Sequence, residues 1–194
     1  MIKPLMRFKA PGLNLGLVFL SVVLVSCAAK LPYSLNYPLS QETFRSHDGT
    51  FIGLIPQGWF SASEDSLASA QLAWLVKDDF SAVLTVHELH LDRLAHARVQ
   101  QKGLKLLANI SLAMHSDGSG NVSASVQPAE FSIGGRKFCG YEVKESGGSK
   151  RVIVFAVNEK LYESEAVPVK GTWGEQEAEK LFMAQEAFLA SLTF

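Results

Sequence analysis

Three histidines close together in the chain, His87, His90 and His96, are the first residues whose types could hold a metal. Two histidines four apart on a helix share a face, as in the H-E-x-x-H zinc pattern. In His87-Glu88-Leu89-His90 the spacing is three, and position 91 is leucine. The flanking alternation reads as a strand, on which His87 and His90 point to opposite faces. A zinc site there needs the chain to fold back and bring further ligands, so the three are expected as surface or half-buried side chains and no metal is assigned. Asp117-Gly118-Ser119-Gly120-Asn121 fails as a calcium loop, because Val122 stands where the turn glycine belongs and Pro128 where the bidentate glutamate belongs. The pair Asp78-Asp79 fits a hairpin turn better than paired-carboxylate chemistry. No G-x-S-x-G occurs. Gly134-Gly135 and Gly147-Gly148 precede strand-like runs, not the helix start that a phosphate cradle requires. Neither catalysis nor a cofactor is expected.

The two cysteines carry the remaining chemistry. Cys27 ends an apolar run, Leu13–Val25, broken only by Asn14 and Ser21, and the run follows the basic residues Lys3, Arg7 and Lys9. No acidic residue occurs before Glu42. Such a run has the length of a secretory signal, whereas a spanning helix needs roughly 20 apolar residues. Leu24-Val25-Ser26-Cys27 resembles the lipobox of bacterial lipoproteins at all four positions. The resemblance implies cleavage between Ser26 and Cys27, a thioether-linked diacylglycerol on the Cys27 sulfur and acylation (palmitate or a similar chain) of the new amino group. Ala28 and Ala29 follow, with no aspartate, a pattern that resembles transport to the outer membrane rather than retention at the inner one. Cys139 is then left without a partner and, between Phe138 and Tyr141, is expected as a buried small apolar residue.

The expected organisation is a signal peptide over residues 1–26, a lipidated N-terminus and tether over 27–48 with an edge-strand portion around Thr43–Arg45, and one domain over 49–194. The 194-residue chain has 18 basic and 19 acidic residues. Without Lys3, Arg7 and Lys9 it carries 15 basic residues against 19 acidic, a formal charge near −4. No basic stripe is present, which excludes nucleic acid and electrostatic lipid binding as the basis of function.

Period-two patterning predicts a first strand at Phe51–Trp59, stopped by Pro56. A hairpin of Gln71–Lys77 and Ala82–Leu91 follows, and then a meander of Phe131–Ile133, Lys137–Glu145, Arg151–Val157 and Leu161–Val167. From Asp92, a plausible N-cap, the period changes to 3.6 and predicts one amphipathic helix to about His115. Its apolar stripe is Ala95, Val99, Leu106, Leu107, Ile110 and Met114. A last helix is predicted from a capping box of Thr172 and Glu175, with Ala178, Leu181, Phe182, Phe188, Leu189 and Leu192 turned inward. Strands grouped in hairpins, with helices separate from them, describe an α+β fold: an antiparallel sheet covered by two long amphipathic helices.

The Phe51–Trp59 strand with its Pro-x-Gly-Trp, the central helix, the meander containing Leu161-Tyr162 and the final helix running into Ser191-Leu192-Thr193-Phe194 together resemble the PsbP-like fold. This implies an α/β/α sandwich over most of residues 40–194, in a family that mostly binds other proteins. The function expected is thus a lipid-anchored, non-catalytic interaction or assembly module at the periplasmic side of an envelope membrane. The alternative is a carrier for a small apolar ligand or lipid in a sheet–helix cleft lined by residues such as Trp74 and Leu107. Among the three tryptophans, Trp59 and Trp74 are expected in the core and Trp173 as an exposed partner contact.

Overall fold

A computed structural model describes residues 36–62, 71–119, 124–145, 148–171 and 173–194. The hairpin predicted around Asp78-Asp79 forms from β4 (Ala73–Lys77) and β5 (Ala82–Glu88), preceded by the short β3 (Trp59–Ser61). The meander forms from β6 (Ala124–Ile133), β7 (Arg136–Glu145), β8 (Gly148–Val157) and β9 (Lys160–Pro168). These strands join in one seven-stranded antiparallel sheet of order β3-β4-β5-β9-β8-β7-β6. The β5–β9 seam therefore brings together two segments distant in sequence, with His87 directly opposite Glu163 and Thr85 opposite Glu165.

Both faces of the sheet are covered, which is why its central strands bury residues at odd and even positions alike. On one face Cys139, Tyr141, Val143, Val152, Val154 and Leu161 pack with Val99, Leu107 and Ala108 from two helices. These are α1 (Arg93–Lys102) and α2 (Leu104–Ser119). On the other, α3 (Glu175–Ser191) lays Leu181, Ala184, Phe188 and Leu189 against the sheet. An aromatic cluster of Phe51, Phe138, Phe155, Tyr162 and Phe194 extends that layer, with ring centroids 5.2–6.5 Å apart. Among the described residues no helix is long and apolar enough to cross a membrane.

Four expectations are corrected. The central helix is two helices, because Gly103 adopts φ 81° and ψ −174°, a left-handed backbone that favours glycine and ends the first helix. Asp92 caps α1 as expected, its Oδ1 accepting from the backbone N–H groups of Leu94 and Ala95 at 2.8 Å each. After the break the helical phase restarts, and α2 turns Leu107, Ala108 and Ser111 inward. It also runs on to Ser119, past the expected end near His115.

Second, residues 39–45, expected within the tether with an edge-strand portion only around Thr43–Arg45, form the longer β1 (Leu39–Arg45), which pairs antiparallel with β2 (Ile52–Pro56). Phe44 anchors it against the rings of Phe51 and Phe188, each 6.0 Å away. Third, β6 starts at Ala124, well before the expected Phe131; the first strand stops at Pro56 and Gly58 turns the chain at φ 77° into β3, as expected. Fourth, the N-cap of α3 is Gly174, without a side-chain cap bond, so Glu175 is its first residue and the expected capping box is not made. Glu175 and Glu177 in the first turn instead complement the positive end of the helix dipole.

Candidate functional site

The chemistry of the fold gathers at the β5–β9 seam, under the C-terminal half of α2. Leu161, Glu163 and Glu165 alternate onto the face that α1 and α2 cover, so period two carries two carboxylates beneath helices. On α2, Ser111 and His115 lie four and eight residues beyond Leu107 and so continue its inward stripe. Glu163 and Ser111 are each only 1% exposed.

The hydroxyl of Ser111 donates to Glu163 Oε2, and His115 Nε2 donates to Glu163 Oε1 at 2.9 Å. Since the single proton of Ser111 is spent on the carboxylate, Tyr141 donates to Ser111 Oγ at 2.7 Å. His115 Nε2 also lies 3.2 Å from Glu165 Oε1, and Lys150 Nζ lies 3.0 Å from Glu165 Oε2. His87 completes the group from β5, its Nε2 3.6 Å from Glu163 Oε1.

Burial pushes the Glu163 carboxyl up. The hydrogen bonds from His115 and Ser111 and the nearby charges of His115 and His87 outweigh it and hold the group below the usual carboxylate range. His115 is raised, first by its bond to Glu163 and against the cost of burial. Burial also raises the Tyr141 hydroxyl, which stays a neutral donor. The arrangement is an ionised carboxylate satisfied on both oxygens. A fully buried hydroxyl and carboxylate cannot meet a substrate, so the cluster is no catalytic triad.

The histidines singled out from sequence are not brought together. His87 belongs to the cluster just described. His90 is 83% exposed, its Nδ1 3.8 Å from Glu88. His96 sits on α1 with Nε2 2.9 Å from the carbonyl of Glu159. Among the described residues the group able to hold a metal is His115, Glu163 and Glu165, none of which the sequence reading named. The available signal was two polar residues, Ser111 and His115, at apolar positions of a helix.

Trp173 is half-buried rather than freely exposed. Its indole N–H donates to the Lys170 carbonyl at 3.0 Å, and Lys77 Nζ lies 5.6 Å from the ring centroid. Trp59 is buried with Nε1 donating to Tyr37 at 3.3 Å, and Trp74 is half-buried in β4. Cys139 is fully buried, and burial pushes its thiol up to about 11, so it is no nucleophile at neutral pH. Asp79 serves the turn, accepting from the Ser81 N–H at 3.0 Å and pairing with Lys77 at 2.8 Å. Ser26, Cys27 and the rest of the signal segment lie outside the described residues, as do the side chains of the loop that begins at Asp117.

Part of the apolar stripe read from the sequence borders solvent, Ala95, Leu106 and Ile110 being half-buried and Met114 exposed. Ala95, Leu106, Ile110 and Met114 line a groove of about 420 Å³ between α1 and α2, together with Leu91 and Leu94. Leu94 is 64% and Met114 51% exposed. His90, Asp92 and Arg98 form its polar rim.

No family model matches this sequence, and no curated protein matches it. Among solved structures, cyanobacterial PsbP (CyanoP) of Synechocystis superposes with a TM-score of 0.54 at 12% identity, over 78% of this chain and 91% of that one. The Ran-binding protein Mog1p of Saccharomyces cerevisiae gives 0.48 at 11% identity, over 80% and 96%. LpqN of Mycobacterium tuberculosis, involved in cell envelope biogenesis, gives 0.42 at 14% identity, over 78% and 90%. Only the first passes the level at which a superposition argues for a shared fold, and at that identity it speaks of fold alone. The chain is therefore similar in architecture to cyanobacterial PsbP, and its fold is the PsbP-like α+β sandwich, with three helices among the described residues where two long ones were expected.

Proposed function

We propose that this chain is a bacterial envelope lipoprotein, cleaved before Cys27 and held by lipid on that residue, whose domain is a non-catalytic interaction module facing the periplasm. The observation that carries the interaction role is the groove between α1 and α2. A contiguous apolar strip with a polar rim on the surface of a soluble domain is the signature of a protein-binding site. Its occupant is a partner segment presenting apolar side chains, such as one face of an amphipathic helix. The anchor rests on Leu24-Val25-Ser26-Cys27 and the run before it. Two or three acyl chains give firm attachment where one holds only marginally. The residues after Cys27 supply reach, and Ala28-Ala29 favour the outer membrane as the destination. The carrier reading finds less support, because Leu107, expected to line a cleft, packs in the core with Val99, Tyr141 and Val154.

Substituting Cys27→Ser tests the anchor in cells. The wild-type chain is expected in the membrane fraction, shortened by its signal and heavier by its lipid. The variant is expected as soluble or uncut protein. Processed, acylated protein from the Cys27→Ser gene would overturn the reading.

A further inference from the structure

At the β5–β9 seam His115, Glu163 and Glu165 each bring a donor atom within 4.8 Å of the others, as the ligands of one ion do, and His87 stands beside Glu163. Glu163 Oε1 lies 2.9 Å from His115 Nε2 and 3.6 Å from His87 Nε2, and His115 Nε2 lies 3.2 Å from Glu165 Oε1. With metal–ligand bonds of about 2.0–2.1 Å, the edge of a tetrahedron is about 3.3–3.4 Å. The two edges at His115 fall slightly short of that length, so an ion among His115, Glu163 and Glu165 asks for small outward movements, and His87, which stands near Glu163, swings toward it to become the fourth ligand.

The rest of the surroundings fits the same reading. Each carboxylate has its second oxygen engaged from outside the cluster: Ser111 donates to Glu163 Oε2, and Lys150 holds Glu165 Oε2 at 3.0 Å. Both Oε1 atoms are thereby turned toward the imidazoles, and the Ser111–Tyr141 bond fixes the Glu163 side from the layer behind. Outer partners of this kind orient ligands in metal sites. His87 supplies an independent sign. Its Nε2 stops beyond hydrogen-bond distance of Glu163, and its Nδ1 is buried without a partner. A half-buried imidazole aimed at a buried carboxylate, bonded to nothing, lacks a ligand. The His87 and His115 side chains are 25% and 27% exposed, which leaves an ion a route from solvent.

We propose that His87, His115, Glu163 and Glu165 form a binding site for a divalent transition-metal ion, zinc being the best match to two imidazoles and two carboxylates in tetrahedral order. All four positions are filled by protein, the pattern of a structural site rather than a catalytic one. The ion clamps β5, β9 and α2 together and neutralises the carboxylates that the sandwich has buried.

The test is zinc titration of the untagged full chain in detergent, stripped with chelator beforehand, followed by calorimetry and metal analysis after gel filtration. One zinc per chain is expected, and cobalt in its place is expected to give the intense visible bands of a four-coordinate ion. His87→Gln, chosen because His87 makes no hydrogen bond, and Glu165→Gln are each expected to weaken binding by about tenfold or more. His90→Gln is expected to leave it unchanged. No binding up to 100 μM zinc would overturn the proposal. So would wild-type affinity in His87→Gln and in Glu165→Gln, loss of binding in His90→Gln, or the pale spectrum of octahedral cobalt.

Discussion

Replacing His115 by leucine removes the strongest partner of a carboxylate that is almost wholly buried. Breaking a buried pair from one side costs about 3–5 kcal/mol, because an uncompensated charge is left behind. Glu163 keeps the Ser111 hydrogen bond and the nearby His87, which places His115→Leu at the lower end, about 3 kcal/mol. Removing both members, as His115→Leu with Glu163→Leu, deletes the charge together with its partner. Such replacements are near neutral when the new side chains pack, so the double variant is expected within about 1 kcal/mol of wild type. The coupling in the cycle is then about 2 kcal/mol or more. Urea unfolding of metal-free protein at pH 6 measures it, and thermal midpoints should fall by about 2–4 °C for each kcal/mol lost in a chain of this size.

The pH dependence has a definite sign. His115 is raised above its usual 6.5, so its contribution is complete below 6.5 and is lost as pH rises through the higher folded value. Glu163 is lowered below its usual 4.5, so its contribution is complete above 4.5 and is lost as pH falls through the lower folded value. Wild-type stability should therefore hold a plateau between these limits, and that plateau should be absent from the double variant. A cost for His115→Leu under 1 kcal/mol, or single effects that add without coupling, would refute the reasoning.

Gly103→Ala places a side chain at φ 81°, where a non-glycine residue costs about 1–3 kcal/mol; urea unfolding should show a loss in that range, and none would mean that the break is not held by glycine. Cys139 should resist a thiol reagent in the native state at pH 8 and react fully in denaturant, since burial raises it to about 11; fast native labelling would contradict the packing described. Gly53→Ala would bring a Cβ within 2.8 Å of Leu192 and 3.3 Å of Phe188. Overpacking of this kind costs about 1–3 kcal/mol, measurable as a lowered thermal midpoint.

The parts of the fold written in local pattern were legible in the sequence. The hairpin around Asp78-Asp79 and the turns at Gly134-Gly135 and Asn158-Glu159 combine turn residues with alternating runs, and these turns stand where they were placed, though the strand before Gly134 begins at Ala124 rather than Phe131. The break at Gly103 was not, because a glycine within a 3.6 period looks like a tolerated cost until its backbone angles are known. After that break Met114, expected in the core, is exposed, and Ile110 packs on the core at the edge of the groove.

The buried cluster was hidden for another reason. Leu161-Tyr162-Glu163-Ser164-Glu165 reads as a strand with a polar outer face, and only coverage by helices on both sides makes that face interior. The pairing of β5 with β9, which sets His87 opposite Glu163, is a long-range contact that no local spacing encodes. Of β1 only the part around Thr43–Arg45 is legible, because Pro38, Ser40 and Gln41 dilute its pattern, while Phe44 provides its hold.

The interaction role requires that a partner sit in the groove between α1 and α2. A photo-crosslinking amino acid at Met114, which is exposed, and in a separate strain at Glu179 on the outward side of α3, measures this in intact cells. The position-114 strain should give one discrete crosslinked species after irradiation, weakened by Leu94→Asp and by Cys27→Ser, and the position-179 strain should not. No species from position 114, or the same species from both positions, would contradict an interaction module working through this groove.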